Sequence, residues 1–193
     1  MKHVILSLFL ILGVFLFGCA SKKVEPTQKT TKTLKQLDLS KINYPSKIGD
    51  YKLQNKQTLK NKAQGIMIRY LNNKKTTSYL DCNIYPQGKD LNLTTHYHDI
   101  LSGISFMQKE GVLKKATILK EETIMIDATH TALRTIFDME NKITPYYSVL
   151  YLVPLEDHYF YVRFSNPHKP EFLQSDFGEK TVKELFSKIK FNK

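Results

Sequence analysis

Residues 158–164 (HYFYVRF) and the preceding run 146–153 (YYSVLYLV) decide the fold class of this chain. In the first segment the side chains alternate: Phe160, Val162 and Phe164 point one way, and Tyr159, Tyr161 and Arg163 point the other. This period of two is typical of a β-strand. The run 146–153 is apolar at nearly every position, which is typical of a central strand covered on both faces. The two segments predict a β-sheet with material packed on both sides of its centre.

Five further segments have the composition of strands, and clusters of asparagine, glycine and proline separate several of them. These segments are residues 51–60, 65–71, 77–85, 118–126 and 131–139. With the first two, they predict a sheet of about seven strands that begins shortly after residue 44.

Two helices are predicted from apolar residues at helical spacing. The first carries a stripe formed by Tyr97, Ile100, Leu101, Ile104 and Met107. Thr94 or Thr95 is the candidate N-cap of this helix, and Gly111 is expected to follow its end. The second carries Val182, Leu185, Phe186 and Ile189 on one face, and residues 176–179 (DFGE) resemble a capping box at its start.

The predicted order is three strands, a helix, four strands and a helix, which indicates an α+β fold with a mainly antiparallel sheet. This order and length resemble the PsbP-like fold, found in photosynthetic lumen proteins and in a nuclear-transport cofactor. The resemblance covers most of residues 45–193. It implies an α/β/α sandwich and implies no activity, because unrelated functions share folds.

The chain opens with a short positive start and then an apolar run over residues 4–17. This run is shorter than the roughly 20 residues that a membrane-spanning helix needs, and it has the length of a signal-peptide core. Residues 16–19 (LFGC) resemble the lipobox of bacterial lipoproteins, with Phe17 bulkier than usual. The alternatives are an ordinary secretory signal with a coincidental cysteine, or an uncleaved amphipathic helix.

The lipobox resemblance implies signal removal before Cys19 and attachment of diacylglycerol, with acyl chains such as palmitate, to its sulfur. Ala20 is not the aspartate of inner-membrane retention signals, so the outer membrane is expected if the host has two membranes. We predict a signal peptide over residues 1–18, a lipidated lysine- and threonine-rich tether over 19–43, and one domain over 44–193.

The chain has 193 residues and a net charge of +11, which in an intracellular protein would suggest nucleic acid as a partner. Export removes that partner and leaves anionic headgroups, lipopolysaccharide, teichoic acid or an acidic protein. A lysine-rich solvated surface is the simpler interpretation. With Cys19 lipidated, Cys82 has no disulfide partner within the chain, and it is predicted to be a buried thiol between Leu80 and Ile84.

Catalytic and metal-binding motifs are not recognisable in the sequence. The six histidines lack zinc-ligand spacing, and His96 and His98 would face different ways on a helix. Ser105 follows Gly103 as in a nucleophile elbow, but the closing glycine is missing and the segment reads as mid-helix. We therefore expect no cofactor, no metal and no enzymatic activity.

Tyrosine and arginine side chains lie opposite the predicted core positions, and these residue types are enriched where proteins grip partners. The candidate partner-binding residues are Arg69, Tyr79, Tyr85, Arg134, Tyr159, Tyr161 and Arg163. The competing interpretation is that a helix covers this surface and the tyrosines are its packing. The sequence thus favours a non-enzymatic binding or accessory module of the cell envelope. The alternatives are an envelope hydrolase with a site assembled from scattered residues, or a small-ligand carrier.

Overall fold

The computed structural model describes residues 42–58, 65–72, 74, 78–87, 92–174 and 176–189. The predicted signal peptide, Cys19 and nearly all of the predicted tether lie outside these residues. Ile42 is 3% exposed and already belongs to the core, so packing begins before the expected domain boundary at residue 44. Within the described part of the chain, no helix is long and apolar enough to cross a membrane.

The described residues form one antiparallel sheet of eight strands and two α-helices, in agreement with the predicted α+β class. The elements in chain order are β1 (Lys47–Ile48), β2 (Tyr51–Thr58), β3 (Ile66–Asn72), β4 (Tyr79–Pro86), α1 (Leu93–Lys109), β5 (Leu113–Met125), β6 (Thr131–Asn141), β7 (Pro145–Pro154), β8 (His158–Pro167), a 3-10 helix (Pro170–Leu173) and α2 (Glu179–Lys188). The expected count of about seven strands is one too low, because β1 has only two residues and no readable alternation.

The sheet order is β1-β2-β3-β4-β8-β7-β6-β5. Strands β1 to β4 form one half, in which each strand is antiparallel to the next, and strands β5 to β8 form the other. Strand β8 joins the two halves by pairing with β4. Since β5 lies at the far edge from β4, the connection through α1 has to cross one face of the second half. Strands β7 and β8 are central and almost wholly buried, which confirms the prediction from residues 146–153 and 158–164.

A separate apolar cluster fills each face of the sheet, and each cluster includes one helix. On one face Phe160, Val162 and Phe164 of β8 pack with Val182 and Leu185 of α2. On the other, Phe137, Met139, Leu150 and Leu152 pack with Tyr97, Ile104 and Met107 of α1. Each fully buried side chain of this size contributes about 1.5–3 kcal/mol, so these clusters are the main source of stability.

The starts of both helices differ from the expected caps. Asn92 caps α1, and its side chain accepts a hydrogen bond of 2.8 Å from the backbone N–H of Thr95, the residue expected to be a cap itself. The predicted capping box before α2 does not form, because Gly178 is the N-cap with φ +78° and no side-chain cap bond. A Cβ at this position would lie 2.8 Å from the Phe164 ring, so close packing against the core decides this helix start.

Strand β5 starts at Leu113, five residues before its predicted start at 118. Two of its five added residues are lysines that contact β6: Lys114 lies 3.2 Å from Glu140, and Lys115 lies 2.6 Å from Asp138. The sequence pattern missed this part because an edge strand needs no apolar alternation on its solvated side.

Candidate functional site

Six of the seven candidate residues lie on the α1 side of the sheet, and we call this set the Tyr/Arg face. It comprises Arg69, Tyr79, Tyr85, Tyr159, Tyr161 and Arg163. The register places Arg69, Asp81 and Arg163 side by side on β3, β4 and β8. Directly opposed residues of an antiparallel pair point to the same face, so these three side chains share one row.

Arg134 is the exception, and its predicted place on this surface is wrong. It pairs with Tyr151 on β7, whereas Arg163 pairs with Leu150, so Arg134 points to the α2 side of the sheet. It is 0% exposed. Its guanidinium donates to Glu122, to the Tyr151 hydroxyl at 3.0 Å and to the backbone oxygen of Gln174 at 3.2 Å. Arg134 therefore ties the segment before α2 to the sheet.

Tyr159 and Tyr85 lie beneath the start of α1. Their position agrees with the competing interpretation, in which a helix covers this surface and packs on the tyrosines. Tyr159 is 1% exposed, and its ring stacks on His96 with centroids 4.3 Å apart. The Tyr85 hydroxyl lies 2.5 Å from Nε2 of His96, and the Tyr159 hydroxyl accepts a bond of 3.0 Å from Gln87. Burial lowers the pKa of His96, with Asp99 offsetting part of the effect, so its ring is held neutral.

The remaining four residues, Arg69, Tyr79, Tyr161 and Arg163, form a partly exposed group that we call the Arg163 cluster. Arg69 makes a two-pronged contact with Asp81, from Nε to Oδ1 at 2.6 Å and from Nη2 to Oδ2 at 2.7 Å. Its guanidinium also lies over the Tyr79 ring, 4.6 Å from the centroid. This geometry is the strong bidentate form of an ion pair, and it fixes Arg69 in place.

Arg163 is bound differently, because its contacts are with neutral atoms. Nε donates to the Ser148 hydroxyl at 2.7 Å, and Nη2 donates to the Met139 sulfur at 3.3 Å. Among the residues that the structure describes, no carboxylate lies within 4.0 Å of its guanidinium. With one carboxylate for two guanidinium groups, the cluster carries a surplus positive charge next to a hydrogen-bonding surface.

The tyrosines of the Arg163 cluster are neutral at physiological pH. Burial raises the pKa values of Tyr79 and Tyr161, and the charge of Arg163 offsets part of the rise. The hydroxyl of Tyr79 interacts with Ser165, and the hydroxyl of Tyr161 interacts with Arg163. The register places Asn83 beside Tyr161, and the buried Oδ1 of Asn83 has no hydrogen-bond partner in the described part of the chain. A buried polar atom without a partner in the protein is uncommon.

Asp81, Asn83, Ser148 and Met139 were not singled out from the sequence. Alternation within β4 places Asp81 and Asn83 on the same side as Tyr79, so that strand carried a usable signal. Ser148 and Met139 become neighbours of Arg163 only through the register of β6, β7 and β8, which the sequence does not encode in any local pattern.

The other residues with catalytic potential are not brought together. His130 and His158 each contact an aspartate close to them in sequence, Asp127 at 3.0 Å and Asp157 at 2.5 Å. Cys82 is 0% exposed between Leu80 and Ile84 as predicted, and burial raises its thiol pKa. No group of three His, Cys, Asp or Glu residues able to hold a metal occurs among residues with a described position.

Comparison with known proteins finds solved structures that are similar to this chain but identifies no family. No protein-family model matches the chain, and no curated protein sequence matches it. A crystal structure from Bacteroides thetaiotaomicron is similar at 14% identity and a TM-score of 0.46, covering 79% of this chain and 44% of that one. Cyanobacterial PsbP from Synechocystis is similar at 11% identity and a TM-score of 0.48, covering 85% of this chain and 98% of that one.

A mutant of protein Mog1 is similar at 13% identity and a TM-score of 0.39, covering 65% of this chain and 79% of that one. PsbP, whose fold the order of elements was predicted to resemble, is among these structures. At this level of similarity, none of the three bears on what the chain does.

Proposed function

We propose that this chain is a lipid-anchored accessory protein of the bacterial cell envelope, whose domain binds an envelope partner through the Tyr/Arg face. The anchor is the lipid on Cys19, and the outer membrane is its expected site in a host with two membranes. The proposal includes the three-layer α/β/α architecture, which the packing of one helix on each face supports.

The observation that carries the binding role is Arg163. Arg163 shares the charge of Asp81 with Arg69, and its own hydrogen bonds are with neutral groups. A partly buried guanidinium in this position costs more to hold than a fully paired one, because burial removes water and returns only part of an opposite charge. Arginine and tyrosine at such a position are the residue types that dominate binding energy in protein interfaces.

The hydrolase and the small-ligand carrier find no comparable support. Cys82 is enclosed by apolar side chains with its thiol pKa raised, which makes it a poor nucleophile. The two described clusters of the core consist of apolar side chains that pack on one another, and each includes one helix. We therefore retain binding as the proposed activity.

Photocrosslinking in intact cells tests this proposal. A photoreactive phenylalanine analogue replaces Leu71, a partly buried residue that pairs with Tyr79 at the rim of the Arg163 cluster. A matched control places the analogue at Lys180, an exposed residue of α2 on the opposite side of the sheet. We expect one envelope component to crosslink at position 71 and not at position 180.

The anchor is tested in the same cells with Cys19→Ala. This change should abolish incorporation of labelled fatty acid and move the protein from the membrane fraction to the soluble fraction. It should also lower the crosslink yield at position 71. Equal crosslinking at both positions, or full lipid labelling of Cys19→Ala, would refute the corresponding half of the proposal.

A further inference from the structure

Positive charge is concentrated in the part of the chain that follows the predicted anchor. Residues 19–63 contain 11 lysines and three acidic residues, a net charge of +8, whereas residues 64–193 contain 17 lysines and arginines and 15 acidic residues, a net charge of +2. We propose that the sheet edge formed by β1 and β2 docks on anionic lipid headgroups of the bilayer that holds the anchor. This inference rests on the anchor of the proposed function and adds an orientation of the domain on the membrane.

Three exposed lysines form this edge, and we call them the lysine edge: Lys47 on β1, and Lys52 and Lys56 on β2. Lys47 and Lys52 are directly opposed in the register of the two strands, where like charges repel each other. Among the residues that the structure describes, no carboxylate forms an ion pair with any of the three. Asp50, in the turn between the strands, is engaged by Lys74 at 3.0 Å. An anionic surface would supply the missing opposite charge.

The chain enters the domain at this same edge. Ile42 is 3% exposed in the core, and the Tyr70 hydroxyl donates to the backbone oxygen of Pro45 at 3.0 Å, just before β1 begins. As the predicted tether, the roughly 23 residues between Cys19 and Ile42 would span about 25–30 Å on average. Such a short link keeps the lysine edge close to the headgroups, so docking is in effect intramolecular.

The opposite edge of the sheet shows that lysine alone does not produce this charge. Strand β5 also carries three lysines, and each of them contacts an acidic side chain of β5 or β6. The pairs are Lys114 with Glu140 at 3.2 Å, Lys115 with Asp138 at 2.6 Å, and Lys120 with Glu122 at 2.8 Å. The edge beside the tether thus has lysines without acidic partners in the described part of the chain, and the far edge has lysines that are paired.

The placement of the three lysines suits a wide, flat surface. Lys52 pairs with Leu71 and Lys56 with Ile68, so the two lysines point to opposite faces of the sheet, about 13 Å apart along the strand. A single small anion cannot contact both. Both faces end at the edge strand, and the four-carbon stem lets each ammonium group extend past it. Each lysine near an anionic bilayer raises the binding constant about fivefold, so three raise it on the order of a hundredfold.

Energy transfer between the domain and the bilayer tests this orientation. The lipidated full chain is reconstituted in vesicles of phosphatidylcholine, or of equal parts phosphatidylcholine and phosphatidylglycerol, with a trace of acceptor-labelled lipid. A donor dye is attached at Gln54→Cys, an exposed position of β2, or at Thr117→Cys, an exposed position of β5 at the far edge. Cys82 is 0% exposed, so the dye attaches at the introduced cysteine.

We expect transfer from position 54 to rise on the anionic vesicles and to exceed transfer from position 117. The difference should vanish at 1 M salt, where the screening length falls to about 3 Å. Replacing all three residues of the lysine edge by glutamine should lower the ratio of docked to undocked domain on the order of a hundredfold. The matched control, Lys109→Gln with Lys142→Gln and Lys180→Gln, removes three exposed lysines elsewhere and should leave transfer unchanged. Unchanged circular dichroism shows that both triple variants are folded.

Equal transfer from the two positions, or on the two kinds of vesicle, would overturn the inference. Docking that survives replacement of the lysine edge would do the same. A rise in transfer only after teichoic acid is added would assign the edge to an envelope polymer and not to the bilayer, which also overturns it. Flotation with the neutral vesicles separates the two proposals. A chain that does not float would refute the anchor and this inference with it, whereas a chain that floats with equal transfer refutes this inference alone.

Discussion

Replacement of Arg134 by methionine tests whether Arg134 is a structural residue, in contrast to Arg163, which is assigned to binding. Arg134 is 0% exposed and donates to Glu122, to Tyr151 and to the Gln174 backbone oxygen. Removing one member of a buried charge pair typically costs about 3–5 kcal/mol. The cost is at the lower end here, because the Glu122 side chain is 27% exposed and keeps a second contact, with Lys120 at 2.8 Å.

We therefore expect Arg134→Met to lower the free energy of unfolding by about 3 kcal/mol, since methionine replaces much of the apolar stem and none of the three donors. For a domain of this size, 1 kcal/mol corresponds to about 2–4 °C, so the melting temperature should fall by about 6–12 °C. The segment between β8 and α2 should lose protection first, because the bond to Gln174 is one of its ties to the sheet.

Urea unfolding followed by circular dichroism measures this loss, with hydrogen exchange of residues 170–178 as the local readout. The matched control is Arg163→Met, which removes the hydrogen bond to Ser148 and the weak one to the Met139 sulfur at a partly exposed site and should cost about 1 kcal/mol. If Arg134→Met costs less than Arg163→Met, or leaves residues 170–178 fully protected, the assignment of Arg134 to the scaffold is wrong.

Three further predictions test the packing. Gly65→Ala should lower the free energy of unfolding in urea by about 3 kcal/mol or more, because φ is +77° and a Cβ would lie 1.9 Å from the backbone oxygen of Ile84. Gly49→Ala is the control: φ is +51°, no atom lies within 4 Å of the added Cβ, and the loss should be about 1 kcal/mol. Burial lowers the pKa of His96 in the folded state, so its contribution to stability is present above the unfolded pKa of about 6.5 and is lost as pH falls below that value. The urea midpoint should therefore fall less between about pH 7.5 and pH 5 in His96→Phe than in the wild type. In a Cys19→Ala chain, Cys82 should react with a thiol reagent only after unfolding, and rapid labelling of the native protein would contradict its burial.

The centre of the sheet could be predicted because its signal is local. Strands β7 and β8 are buried on both faces, and the resulting apolar run and alternation are visible within each strand. The helix stripes are local for the same reason: Tyr97, Ile104 and Met107 are buried at the predicted spacing. Features that depend on one side chain meeting another across the sheet were predicted poorly.

The misplacement of Arg134 shows the physical reason. Alternation tells which residues of one strand share a face, but it does not tell which face of β6 aligns with which face of β8. That relation passes through β7, where Arg134 pairs with Tyr151 and Arg163 with Leu150. A shift of one residue in pairing exchanges the two faces, so an arginine at the surface and one in the core look alike in sequence.

The start of α2 was missed for a related reason. Asp176 and Glu179 have the spacing of a capping box, and local chemistry would have favoured it. Gly178 instead adopts φ +78° against the ring of Phe164, so contact with the core overrides the local cap.

The dependence of crosslinking on Arg163 is the most direct test of the central claim that the Tyr/Arg face binds an envelope partner. With the photoreactive residue at position 71 in intact cells, the yield of the specific crosslink is compared among the wild type, Arg163→Met and Lys180→Met. We predict that Arg163→Met loses most of the crosslink while Lys180→Met and the cellular amount of protein stay unchanged. An undiminished crosslink in Arg163→Met would contradict the claim, because the partner would then bind without the guanidinium on which the proposed binding rests.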